Sequence, residues 1–184
     1  AALTLPRENG SQPSGYLFCV TALGMVKRVT LADFLVPVTP EFVVMNVDDG
    51  DRLGWVLPTR GDAELILVTA TGQSIRFGEE DVRSMGLPAA GVGGIKLAKN
   101  DTVIYSGLVA PEGTLVTITA QAYAKQSPLA DYSRQGRNGS GIVTHKPTSR
   151  TGDVATALVL PAGLDPETPL LVTNHKAVVK TISV

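Results

Sequence analysis

The sequence predicts an all-β, propeller-like array of about four four-stranded units, the last incomplete or completed by an exchanged strand. Three observations predict it. First, the chain repeats itself. YLFCVTALGMVKRVTLADF from Tyr16, ELILVTATGQSIRFGEEDV from Glu64, TLVTITAQAYAKQSPLADY from Thr114 and PLLVTNHKAVVKTISV from Pro169 align on Thr21, Thr69, Thr119 and Thr173. The spacings are 48, 50 and 54 residues, and a period of about 50 is that of propellers and related arrays. Second, each copy is an apolar, β-branched run, a short turn and a second run with alternating polar residues, which is the pattern of a hairpin. Third, frequent glycine, proline and β-branched residues oppose long helices.

Taken in order, the first hairpin turns at Gly24, and FVVMNV from Phe42 supplies a further extended segment. DRLGWVLP from Asp51 leads into the second hairpin, which turns at Gly72. GEEDVRSMG from Gly78 holds about one helical turn, and GVGGIKL from Gly91 is again extended. DTVIYSGLVAP from Asp101, the third hairpin and GIVTHK from Gly141 repeat the series; DVATALVLP from Asp153 and the last hairpin begin it once more. Residues 1–184 thus read as one domain of approximate repeats 1–50, 51–100, 101–152 and 153–184, with the last copy stopping at Val184 after its third strand. The opening AALTLPRENG carries no methionine, so a piece of a longer chain is expected.

Hydrophobic residues make up 43% of the chain, enough for a packed core. The 16 basic and 17 acidic side chains nearly cancel, so a cationic binding face must come from segregation rather than from the total. Residues 1–112 hold nine basic and thirteen acidic groups, and residues 113–184 hold seven and four, which makes the second part the anion-binding side. The single cysteine, Cys19, lies in the apolar run YLFCV and reads as a buried, inert thiol; with one cysteine there is no internal disulfide and no cysteine-rich zinc site. No apolar stretch approaches the ~20 residues of a membrane span and no basic-then-apolar leader is present, so a cytoplasmic protein without membrane contact is expected.

Catalysis needs converging acid, base, nucleophile or metal groups. His145 and His175 lie in different repeats without a carboxylate at ligand spacing, and Glu79, Glu80 and Asp81 read as a solvated acidic surface. Phosphate-cradling glycine loops and nucleophile elbows are absent. No enzyme, metal, cofactor or small-molecule substrate is expected.

A basic side chain does recur on the second strand of each hairpin: Lys27 and Arg28, Arg76, Lys125, and Lys180. A cation at one fixed place per unit predicts an arc of positive charge able to follow a bent phosphate backbone without reading bases; the alternative is that these residues keep strand edges soluble. The connectors RSMGLPAAGVGGI from Arg83 and RQGRNGSGI from Arg134 both begin basic and pass through small residues to a strand. Arginine offers forked donors to phosphate, and glycine lets backbone amides approach an anion.

Together these stretches resemble the C-terminal domain of the A subunit of bacterial type IIA topoisomerases, DNA gyrase and topoisomerase IV. The likeness covers nearly the whole chain and is carried by VTALGMVKRVTLADF, by IRFGEEDVRSMGLPAAGVGGIKL, the most specific of the three, and by YAKQSPLADYSRQGRNGSGI. It implies a β-pinwheel, a disc of strand-swapped blades, five or six in the family against about four here. It further implies a non-catalytic domain whose basic rim bends or wraps double-stranded DNA, with the strand-breaking tyrosine outside this chain. The implied partners, in the bacterial cytoplasm at the nucleoid, are the ATPase subunit together with the remainder of the A subunit. The family signature runs Gln, Arg, Arg, Gly, Gly, Lys, Gly. Residues 135–141 match it at Gln135, Arg137, Gly139 and Gly141 and depart at Gly136, Asn138 and Ser140. The gyrase A subunit is preferred to topoisomerase IV. Phosphate contacts are expected from Lys27, Arg28, Arg76, Arg83, Lys125, Arg134, Gln135, Arg137 and Lys180, with Gly136, Gly139 and Gly141 shaping the loop. The rival reading, favoured by the low total charge, is a propeller-like protein-interaction module with little DNA affinity.

Overall fold

A computed structural model describes residues 14–34, 41–164, 170–173 and 179–182. Its strands are β1 (Tyr16–Thr21), β2 (Met25–Thr30), β3 (Leu53–Thr59), β4 (Glu64–Thr69), β5 (Gln73–Gly78), β6 (Val92–Gly93), β7 (Val103–Leu108), β8 (Thr114–Thr119), β9 (Ala124–Pro128), β10 (Ile142–Val143), β11 (Val154–Leu160), β12 (Leu170–Thr173) and β13 (Val179–Ile182). Helix is confined, among the described residues, to one turn at Leu31–Phe34 and 3-10 turns at Glu79–Asp81 and Leu129–Asp131. None of these could cross a membrane.

Three of the aligned threonines close their hairpins, and the turn after the fourth, Thr173, lies outside the described residues. The Thr21 hydroxyl accepts the Met25 N–H at 3.0 Å, Thr69 accepts Gln73 N–H at 3.2 Å, and Thr119 accepts Tyr123 N–H at 3.2 Å. Their backbone carbonyls accept the N–H of Gly24, Gly72 and Ala122, three residues on. Those residues hold φ of 83°, 81° and 64°, the left-handed region that glycine enters without penalty and alanine does not. All three threonines are buried, so each hydroxyl must find an internal partner, and the turn supplies it.

The apolar runs are continuous rather than alternating because the sheets are covered on both faces. Leu65 and Leu67 of β4 pack with Phe18 and Val20 of β1, while Ile66 and Val68 point the other way, to Leu115, Tyr132 and Val154. One core cluster thus fills the gap between the first and second sheets and another that between the second and third, while Leu17, Val29 and Leu31 form a third on the other face of the first sheet. Strand β9 is mostly exposed, in keeping with its polar sequence AKQSP.

Sheet membership crosses the repeat boundaries. The strand orders are β3-β1-β2-β6, β10-β5-β4-β7, β11-β8-β9 and β12-β13. Each extended segment expected to lead into its own hairpin therefore pairs with the hairpin before it: β3 with β1, β7 with β4, β11 with β8. The reason lies in the turns. Asp51 accepts the Leu23 N–H at 2.8 Å, and Asp101 accepts both the N–H and the hydroxyl of Thr71, so each leading aspartate caps the preceding turn. The expected fourth strands are also shorter than predicted. Only Val92–Gly93 and Ile142–Val143 pair, and Phe42–Val47 forms no strand. Among the described residues two sheets have four strands, one has three and one has two.

Candidate nucleic-acid interface

The connectors 82–95 and 132–144 run along the free edges of β2 and β5. Ser84 bridges Arg28 and β6 pairs with Met25 and Val26; Arg134 bridges Arg76 and β10 pairs with Gln73 and Ser74. The connectors also hold each other. Asn138 N–H donates to the Gly94 carbonyl at 2.6 Å, and Lys96 N–H donates to that of Gly139 at 2.9 Å. Asn138 holds φ 64°, and Gly141 at φ 71° lies so close to Ser74 that a Cβ would run into its carbonyl oxygen. Gly141 is thus required by the backbone. Gly139 would place a Cβ in ordinary contact with Ile75, and Gly136 would place one in open space, so neither position demands glycine.

The expected arc of cations splits between two faces. Lys27 and Lys125 stand opposite Cys19 and Thr117, whereas Arg28 and Arg76 stand opposite Phe18 and Ile66. A one-residue offset reverses the face of a strand side chain, and the aligned positions differ by that one residue.

Lys27 is wholly buried. Its ammonium donates to the carbonyls of Val44 at 2.7 Å and Gly86 at 3.0 Å, tying two connectors together. Burial lowers its pKa, an effect opposed by neighbouring Cys19; burial likewise pushes the Cys19 thiol up to about 11, against the Lys27 charge. The thiol is buried and inert as expected, but Lys27 is not a phosphate ligand in this arrangement, because no phosphate reaches a sealed ammonium. Lys27→Met should therefore destabilise the protein by about 2 kcal/mol, the cost of leaving buried carbonyls unpaired. Chemical denaturation measures that loss, and any salt dependence of DNA binding should stay unchanged.

Arg28 and Arg76 reach forward to the next repeat. The Arg28 guanidinium lies 4.5 Å over the Tyr16 ring and 4.0 Å from Glu79. Arg76 clasps Glu64 and donates to the carbonyls of Leu129 at 2.9 Å and Tyr132 at 3.2 Å. The Arg76 donors serve the gap between sheets, whereas Arg28 contributes charge and ring contact there, its Nε buried without a hydrogen-bond partner among the described residues.

Arg134 is 43% exposed yet encircled by acids. It bonds Glu80 and lies 3.6 Å from Asp81 and 3.8 Å from Glu64. The Glu80 carboxyl is held below its ordinary range by its own backbone N–H and then by Arg134, and the Arg134 pKa is raised chiefly by its hydrogen bond to Glu80. Arg137 donates to the carbonyls of Asp81 at 3.0 Å and Gly93 at 3.1 Å, and Gln135 donates its backbone N–H to Arg76 at 2.8 Å. Lys125 is exposed, with one donor on the Thr144 carbonyl at 2.6 Å, and Lys180 lies on β13 opposite Val172 with its side chain outside the described residues.

Other cations, in the first connector or in the segments that follow the two connectors toward β7 and β11, are free. Arg83, Lys96, Lys99 and Lys146 are exposed, and among the described residues no hydrogen bond or ion pair engages their side chains. Lys96 and Lys146 each follow a connector glycine, Gly91 and Gly141, by five residues. That shared offset is the sequence signal for them, which attention to the hairpin strands passes over. Arg150 is also exposed, stacked on Tyr123. His145 bonds the Thr117 hydroxyl and has its pKa lowered by burial and then by Lys125. Among the described residues no group of three His, Cys, Asp or Glu is placed to hold a metal ion.

The family described as "DNA gyrase C-terminal domain, beta-propeller" matches residues 15–36, 63–109 and 113–144, more than half of the chain. The A subunit of DNA gyrase from Salmonella typhimurium is 34% identical over 165 residues, covering 90% of this chain and 18% of that protein. The A subunit of DNA gyrase from Pseudomonas aeruginosa is 32% identical over 173 residues, covering 93% and 18%. The chain thus spans about a fifth of the length of the curated relatives it matches. The solved C-terminal domain of DNA topoisomerase IV superposes with a TM-score of 0.85 at 24% identity, over 96% of this chain and 54% of that one. The DNA gyrase A C-terminal domain superposes at 0.74 and 22%, over 90% and 54%. At these identities the superpositions show the fold, a β-pinwheel. With the family match, the repeats and the exchanged strands in agreement, the chain belongs to the DNA gyrase C-terminal domain family.

Proposed function

We propose that this domain binds and bends duplex DNA by charge neutralisation, as an accessory part of a type IIA topoisomerase A subunit. Gyrase is preferred to topoisomerase IV because the Salmonella and Pseudomonas relatives carry the gyrase name. The strand-breaking tyrosine then lies outside residues 1–184, and the partners are the ATPase subunit with the rest of the A subunit, in the bacterial cytoplasm.

One observation carries the reading: the first connector and the segments that follow the two connectors present Arg83, Lys96, Lys99 and Lys146 to solvent with no internal partner among the described residues. Lys125, Arg134, Arg137 and the Lys180 position extend the set; Lys27 leaves it, and Arg28 and Arg76 brace the gaps between sheets. Bending 20–30 bp by 40–90° costs on the order of 1–6 kcal/mol. Several phosphate contacts must offset that cost, and cations already exposed and unengaged give up no internal bond in making them.

The bending is tested by ligase-catalysed ring closure of linear duplexes of about 150 bp, near the persistence length, in the presence of the domain. Monomeric circles should form faster than without protein. An unchanged rate of ring closure at a protein concentration that saturates the DNA would contradict bending and leave simple binding.

A further inference from the structure

We propose that the turn Glu79–Asp81, with Glu64, is an internal substitute for phosphate that holds Arg134, so that the loop 132–142 engages DNA only when phosphate displaces Glu80 and Asp81. The inference rests on the DNA-binding reading above and deepens it.

The geometry is that of an occupied anion site. Three carboxylates surround one guanidinium: Glu80 bonds it directly, and Asp81 and Glu64 lie within 4 Å. Arg137, the matching arginine of the signature, turns the same way and donates to the Asp81 carbonyl. Arginine's planar fork suits carboxylate and phosphate alike, so the two anions compete for the same donors. The three carboxylates of Glu64, Glu80 and Asp81 offset the three guanidinium groups of Arg76, Arg134 and Arg137, so the group carries no net positive charge. Approaching DNA therefore meets no net attraction where the sequence alone promises it. The contact is exposed enough to open: the side chains of Glu80 and Arg134 are 49% and 43% accessible, and surface ion pairs are weak and screened by salt. Arg83, Lys96, Lys99 and Lys146 have no such competitor among the described residues, so they hold DNA first and the loop engages when phosphate is brought close.

The test compares the whole chain with Glu80→Gln/Asp81→Asn and with Glu80→Gln/Asp81→Asn/Arg134→Gln, by fluorescence anisotropy on a 40 bp duplex across a salt series. All three should retain their thermal midpoint, because the altered side chains are exposed. The double variant should bind about tenfold more tightly, with log affinity against log salt steeper by about 0.9, the value of one added phosphate contact. The triple variant should lose that added slope and the gain. A double variant with unchanged or weaker binding overturns the inference, as does a triple variant that keeps the full gain, since long-range repulsion by the acids would then account for it. If neither the unaltered chain nor the double variant binds at low salt, the DNA-binding reading fails and the inference with it. Binding by the unaltered chain without a gain in the double variant overturns the inference alone.

Discussion

Replacing Glu79 by alanine should destabilise the protein by about 3–5 kcal/mol, the range for leaving a buried charge network without one partner. Glu79 is fully buried. One carboxylate oxygen accepts the Thr59 hydroxyl at 2.6 Å; the other accepts the N–H groups of Gly61 and Ala63, both at 2.8 Å. Arg28, largely buried itself, lies 4.0 Å away. Alanine leaves three donors unpaired and a guanidinium without its counter-charge, at a position with no surface open to solvent. The corresponding positions in the neighbouring repeats are Leu31 and Leu129, so the carboxylate is particular to the gap between the first two sheets. In stacked arrays stability is carried by interfaces between neighbours, and this residue joins the β3–β4 turn to the first sheet's Arg28. Urea unfolding at neutral pH measures the effect, with Glu80→Ala, one residue along and exposed, expected to stay within about 0.5 kcal/mol of the unaltered protein. A loss below about 1 kcal/mol for Glu79→Ala would contradict the assignment of this carboxylate as a structural clasp.

The second large effect is on DNA. Changing Arg83, Lys96, Lys99 and Lys146 together to glutamine should remove about four phosphate contacts, worth roughly 0.9 each in the salt exponent. A fourfold rise in salt should weaken the unaltered domain through these contacts alone by about 150-fold, a dependence the quadruple variant lacks. Stability should hardly change, because none of the four side chains makes an internal bond among the described residues. Lys27→Met is the converse: it costs stability and leaves the salt dependence alone. The pair separates cations that hold the disc together from cations that meet a ligand, a distinction invisible in a count of basic residues.

Much of the architecture is legible in the residues themselves. The threonine period locates the first three hairpins because Thr21, Thr69 and Thr119 each have a local task, closing their own turn, and local tasks leave local patterns. The continuous apolar runs locate the buried strands. The exchange of strands between repeats is harder to assign, since Asp51 and Asp101 cap turns behind them rather than the hairpins ahead, and a linear reading attaches each strand to its next neighbour along the chain. The candidate site is less legible still. Lys27 and Arg28 are adjacent in sequence but face opposite sides, and Arg134 stands 54 residues from the Glu80 that bonds it. Side-chain alternation and long-range pairing decide whether a cation is free, and neither is written in the spacing of basic residues. Lys96 and Lys146 can be found through their offset from Gly91 and Gly141, but they lie just after the connectors rather than on the strands that draw attention.

On the proposed reading, this domain holds duplex DNA by neutralising phosphates with its free cations. The measurement that tests it most directly is the salt dependence of anisotropy-detected binding to duplexes of about 20 and 40 bp and unrelated sequence, for the unaltered chain beside the quadruple variant. Binding should be tighter to the longer duplex and indifferent to sequence, with a log–log slope that falls in magnitude by about 3 to 4 when the four cations are removed. Equal slopes for the two proteins, or no binding by the unaltered chain at low salt, would contradict it.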